Sequence, residues 1–105
     1  MIKISFFVVN SVLIGYEISG HSGYKKAGED IICASVSSAA YMICNTITDI
    51  LLIDAEVEIR DGFMSVILTR NDAITAQIVL EGLKLHMVEL QKDYSDFIIV
   101  NVLEV

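Results

Sequence analysis

Residues 20–38 read GHSGYKKAGEDIICASVSS. An alternating stretch ends at Ser19, so a strand closes there. A glycine-bounded loop runs from Gly20 to Glu29, with glycines at 20, 23 and 28 and His21 near its start. Asp30 is a good helix N-cap, because its carboxylate accepts hydrogen bonds from the free N–H groups of a first turn. From Ile31 the apolar residues recur at spacings of three and four, the helix period. Strand, loop and helix follow one another here, and the rest of the chain extends that pattern in both directions.

Upstream, Lys3 to Val9 alternates and is rich in Ile, Phe and Val. Asn10-Ser11 is a two-residue turn signal, and Val12 to Ser19 is a second strand, so the pair reads as a hairpin. Downstream, the first helix is expected from about Ile31 to Leu52. Ile32, Val36, Ala39, Ile43, Ile47 and Ile50 form its core stripe, with Cys33, Ser37, Ala40 and Cys44 on a second stripe beside it. Asp54 to Arg60 alternates, and Asp61-Gly62 joins it to Phe63–Thr69; Asp-Gly between alternating runs is a strong hairpin signal. Asn71 or Asp72 is the expected cap of a second helix reaching about Tyr94. Its core stripe is Ala76, Val79, Leu83, Met87, Leu90 and Tyr94, and Gly82 inside it points to close packing. Phe97 to Leu103 is a last strand. The order ββαββαβ implies an α+β fold, a mixed or antiparallel sheet with two helices packed on one face.

The composition bounds what the chain does. Its 105 residues make one domain, and 54% hydrophobic content supplies its core. With no Pro and six Gly, the chain favours regular elements over disorder. The net charge of −7, with seven scattered Lys and Arg, argues against direct nucleic-acid binding. An acidic surface suits a cytoplasmic protein that meets a basic partner. The N-terminus lacks a small-residue cleavage site and reads as a strand rather than a signal peptide. Ile31–Leu52 is the most apolar stretch, yet its Ser, Thr, Asn and Asp residues make it too polar for a membrane span. Cys33 and Cys44, on one helix, cannot reach each other for a disulfide. No zinc spacing occurs, and the compartment expected is reducing.

Cys33 stands in the first turn of the expected helix, near unsatisfied N–H groups and the positive dipole end. Such a site lowers a thiol pKa from about 8.5, and the thiolate is the nucleophile. An imidazole from His21 would lower it further and pass a proton to a leaving amine. The bland alternatives are a Cys that packs as a small hydrophobe and a His that is an ordinary loop residue. Asp30, or Glu29, is a candidate orienter of His21, although a cap is the simpler role for Asp30. Ser37 would face the site one turn after Cys33, or simply bond back to the helix. First-turn N–H groups, that of Cys33 included, would form an oxyanion hole. The loop glycines would let the backbone approach closely and act as a lid. Cys44 and His86 read as structural.

Gly20-His21, the loop to Gly28, then Asp30-Ile31-Ile32-Cys33-Ala34 and Val36-Ser37 together resemble the ribosomal-processing cysteine protease Prp family. Its members share a G-H-x…G-x-D-[IV]-[VI]-C-A-x-[VI]-S pattern. Ser22 and Ser35 depart from it at positions where Ala, or Ala or Gly, is frequent. The resemblance implies a cysteine endopeptidase with His21 and Cys33 as its dyad and no metal or cofactor. It implies a homodimer. Its substrate would be the hydrophobic N-terminal extension, ending in aromatic residues, of a basic ribosomal large-subunit protein (number 27), cut before ribosome assembly. Ser22, Gly23 and Gly28 would belong to a loop over that peptide, with Gly20 and Ser37 lining the site. The alternative is a ribosome-associated module that binds the segment without cutting it. A thiol acyltransferase or redox enzyme is weaker, because no resolving Cys and no cofactor pattern is present.

Overall fold

The computed structural model describes residues 1–20 and 29–105; His21 to Gly28, and the side chains of Glu29 and Asp30, lie outside the described residues. The strands are β1 (Ile2–Val9), β2 (Val12–Ser19), β3 (Glu56–Arg60), β4 (Phe63–Ile67) and β5 (Ile98–Glu104). The helices are α1 (Glu29–Asn45), α2 (Arg70–Thr75) and α3 (Gln77–Asp93), with a π-helical turn at Thr46–Ile50. One sheet runs in the order β3-β4-β2-β1-β5. Every pairing is antiparallel except β1 with β5, so the sheet is mixed, as the element order implied.

The alternation of the strands sets the layers. Ile2, Ile4 and Phe6 are buried on one face while Lys3 is exposed on the other. Across the sheet Phe6, Tyr16 and Val66 stand in one row and Ile4, Ile18 and Met64 in the next. The helices cover these rows through Ile32, Val36, Ala40, Ile43, Leu80, Leu83 and Met87. Each fully buried aliphatic chain contributes about 1.5–3 kcal/mol. Tyr16 fixes the α1 layer, since its buried hydroxyl donates to the Ala40 carbonyl at 2.8 Å. Residues 31–50 are long and apolar enough to cross a membrane, but a third of them is buried inside this fold.

The Asn10-Ser11 turn takes φ of 48° and 67°. Two left-handed residues match the strand twist, as a two-residue hairpin turn requires. At the Asp61-Gly62 turn, only Gly62 is left-handed, with φ of 69°.

Four expectations need correction. The second helix is two helices, capped by neither Asn71 nor Asp72. Thr69 is the cap, its Oγ1 accepting the Asp72 N–H at 3.3 Å. The break falls at Ala76, and Gln77, the first residue of α3, ties the strand and the end of α2 together. Its Oε1 accepts the Leu13 N–H at 3.1 Å, and its Nε2 donates to the Leu13 and Ala73 carbonyls at 2.6 and 2.9 Å. These bonds fall where the β1–β2 register shifts beside a bulge, and backbone groups there need other partners.

Ile50 is 73% exposed rather than part of the core stripe. The π turn adds residues per turn and rotates the helix face, so Ile50 leaves the stripe while Ile47, expected there, stays buried; Ile53, beyond the stripe, is buried as well. Gly82 is exposed, and a Cβ there would meet nothing within 4 Å. Tyr94 is likewise exposed, as the C-cap of α3.

Candidate active site

Antiparallel pairing brings Lys3 opposite Ser19 and Ser19 opposite Phe63. The start of β1, the end of β2 and the start of β4 therefore meet at one end of the sheet. The N-terminal half of α1 lies over that end, and a cavity of about 250 Å³ opens between them. Its sheet side is apolar, formed by Ile2, Ile18 and Met64. Its helix side carries Cys33, Ser37 and Tyr41, spaced four apart and so stacked along one helix face. The β3–β4 turn, Arg60 to Phe63, forms the remaining wall.

Gly20 also lines the cavity, and its backbone demands glycine twice over. Its φ is +89°, and a Cβ would meet the Met1 carbonyl oxygen. Its N–H donates to the Gly62 carbonyl at 3.0 Å, tying the end of β2 to the hairpin turn. On that turn the Arg60 guanidinium stacks 3.8 Å over the centroid of the Phe63 ring. The Arg60–Glu58 ion pair, at 3.6 Å and exposed on both sides, adds at most about 1 kcal/mol.

Cys33 is half-buried at the cavity. It was expected in the first turn, but α1 begins at Glu29 and makes it the fifth residue. Its N–H therefore falls past the first four free donors, and an oxyanion hole would draw on the turn before it. The Cβ of a helical residue points back toward the N-terminus. The Cα–Cβ bond of Cys33 is accordingly tilted toward that first turn. Cys44, eleven residues on, is buried in the core, where burial and then the nearby Asp49 charge push its thiol pKa up. Tyr16 is raised as well, first by burial and then by Cys44.

The structure thus brings Gly20, Cys33 and Ser37 to one cavity. Asp30 is the second residue of α1, with its side chain outside the described residues. His21, Ser22, Gly23 and Gly28 lie outside them too. His86 is exposed on α3 and does not line the cavity. Back-bonding occurs at Ser35, whose hydroxyl donates to the Ile31 carbonyl at 2.9 Å. Among the described residues, no group of three or more His, Cys, Asp or Glu is placed to hold a metal. The sequence reading missed Tyr41 and the Arg60–Phe63 wall. Tyr41 was findable, four residues past Ser37; the hairpin wall depends on β4 pairing with β2, which periodicity does not encode.

A family model described as cysteine protease Prp matches residues 1–99. No curated protein matches the chain. The ribosomal processing protease Prp from S. aureus in complex with a substrate peptide superposes with a TM-score of 0.87 at 19% identity, over 98% of this chain and 100% of that one. The S. aureus protease with a covalently linked product peptide gives 0.85 at 20% identity, over 98% and 100%. SMU.848 from Streptococcus mutans gives 0.84 at 23% identity, over 100% and 96%. At these identities the structural likeness carries the fold.

Proposed function

The chain belongs to the cysteine protease Prp family, and from that premise we propose that Cys33 is its nucleophile and His21 its general base. His21 takes the thiol proton, and the thiolate sulfur attacks the scissile carbonyl carbon. Free N–H groups of the first turn of α1 stabilise the oxyanion. His21 returns the proton to the leaving amine, which departs and leaves a thioester on Cys33. Water, deprotonated by His21, then releases the acid product and restores the thiol. Asp30 is the proposed orienter of His21, and Ser37 a site-lining residue.

One observation carries this reading. Cys33 lies on a cavity whose wall includes Gly20, the residue joined directly to His21. Only one peptide link separates the proposed base from the wall of the nucleophile's cavity. The apolar sheet side suits a hydrophobic peptide. The proposed substrate is the N-terminal extension of ribosomal large-subunit protein 27, cut in the cytoplasm by a homodimer before ribosome assembly. The net charge of −7 suits that basic protein.

The test is mass spectrometry of a peptide copying the extended N-terminus of the host's own large-subunit protein. Cutting at a single site by wild type, lost in Cys33→Ala and in His21→Ala, is the expected result. Cutting retained by either variant would remove the dyad. A peptide bound but left intact by wild type would make the chain a binding module.

A further inference from the structure

The two edges of the sheet differ. At β5, the Val100 N–H donates to Gln91 Oε1 of α3 at 2.6 Å, so a helix side chain covers part of that edge. At β3, all five residues are exposed. Arg60 pairs with Phe63 across a two-residue turn, which makes Arg60, Glu58 and Glu56 the hydrogen-bonded partners of β4. The N–H and C=O groups of Val57 and Ile59 therefore point outward, away from β4. An exposed strand with outward donors and acceptors is a template for another strand.

Charge selects what that strand carries. Residues 54–61 hold Asp54, Glu56, Glu58 and Asp61 against a single base, Arg60. Glu56 and Glu58 lie on the face of the sheet opposite the helices, beside Ser65 and Ile67, and with them line an open depression of about 370 Å³. Position selects its source. β3 ends at Arg60, which lines the Cys33 cavity. A cavity of about 250 Å³ falls below the usual 300–1,000 Å³ of a ligand pocket, so a longer peptide must continue over the surface.

We propose that the edge of β3 binds the stretch of substrate that follows the cut bond, as an added antiparallel strand whose Lys or Arg side chains face Glu56 and Glu58. This rests on the proteolytic reading above. A chain leaving the cavity at Arg60 in its N-to-C direction runs toward Glu56, against the direction of β3. It meets the outward groups of Val57 and Ile59 about 7 Å apart, two residues along a strand. Residues before the cut occupy the apolar cavity, and basic residues after it occupy the acidic edge.

The probe is a labelled ten-residue peptide alternating Lys with Thr or Val, set against its counterpart with Glu for Lys, and the protein is Cys33→Ala. Anisotropy should show binding of the Lys peptide alone, and hydrogen exchange at Val57 and Ile59 should slow when it binds. Glu56→Gln with Glu58→Gln should weaken binding about tenfold at low salt, and much less at high salt. Val57→Pro removes an outward N–H without touching the β4 ladder and should abolish the protection at Ile59. Equal binding of both peptides, or no protection at Val57 and Ile59, overturns the proposal. So does protection already present without peptide and lost on dilution, since the edge would then belong to a second copy. Cutting is not needed for these readouts, so failure of the proteolytic reading shows separately, as a wild-type protein that leaves its substrate peptide whole.

Discussion

Cys33 and Cys44 sit on one helix, eleven residues apart, in opposite circumstances. Cys33 is half-buried on a cavity beside the N-terminal half of α1. Cys44 is packed in the core beside Tyr16, with burial holding it as a neutral thiol. The two thiols are chemically identical in isolation. Helix position, exposure and a neighbouring cavity separate a candidate nucleophile from a filler of space.

The largest contrast is expected in activity. Cys33→Ala should remove peptide cutting altogether, a loss of roughly a thousandfold or more. Cys44→Ala should still cut and should unfold more easily by about 1–2 kcal/mol, read as a lower denaturant midpoint. Cutting that depends on Cys44 instead would invert the assignment.

Gly20→Ala acts on the cavity wall that only Cys33 has. The φ of +89° and the clash with the Met1 carbonyl should lower stability by about 2 kcal/mol or more. Activity should fall faster than stability, because the shifted wall adjoins His21. A variant of unchanged stability would mean that the end of β2 can move without cost.

Alkali should break the Cys44 side of the comparison. Tyr16 and Cys44 have folded pKa values above their unfolded ones, so their neutral forms favour folding. That contribution is complete below the unfolded values. It begins to fall above about 8.5 for Cys44 and about 10 for Tyr16 as the unfolded chain ionises first. Thermal unfolding should show stability declining through that range. Tyr16→Phe should flatten the decline, while losing the hydrogen bond to Ala40 at neutral pH.

The smallest effect belongs to Gly82→Ala. The site is exposed and empty around the missing Cβ, so the helix should gain up to about 1 kcal/mol with no change in cutting. A loss of stability would mean that another surface packs there.

The sequence made much of this legible because its signals were local. Both hairpins were marked by their turns, and the helix stripes put Ile32, Val36, Ile43, Leu83 and Met87 in the core as observed. Gly20, Cys33 and Ser37 were singled out together and share a cavity. What stayed hidden depended on distant partners. Gln77, at the start of α3, is fastened to Leu13, 64 positions away. The π turn after Asn45 rotates Ile50 outward while leaving the apolar spacing intact. Arg60 and Phe63 join the site only because β4 pairs with β2.

The central claim is that Cys33, and not Cys44, attacks the peptide bond. The most direct test incubates the full chain with a chloromethyl ketone peptide that copies the residues before the cut, then maps the adduct by mass spectrometry. One equivalent on Cys33, formed near neutral pH and greatly slowed in His21→Ala, is the predicted result. An adduct on Cys44, or none on Cys33 in a protein that still cuts its peptide, would contradict it.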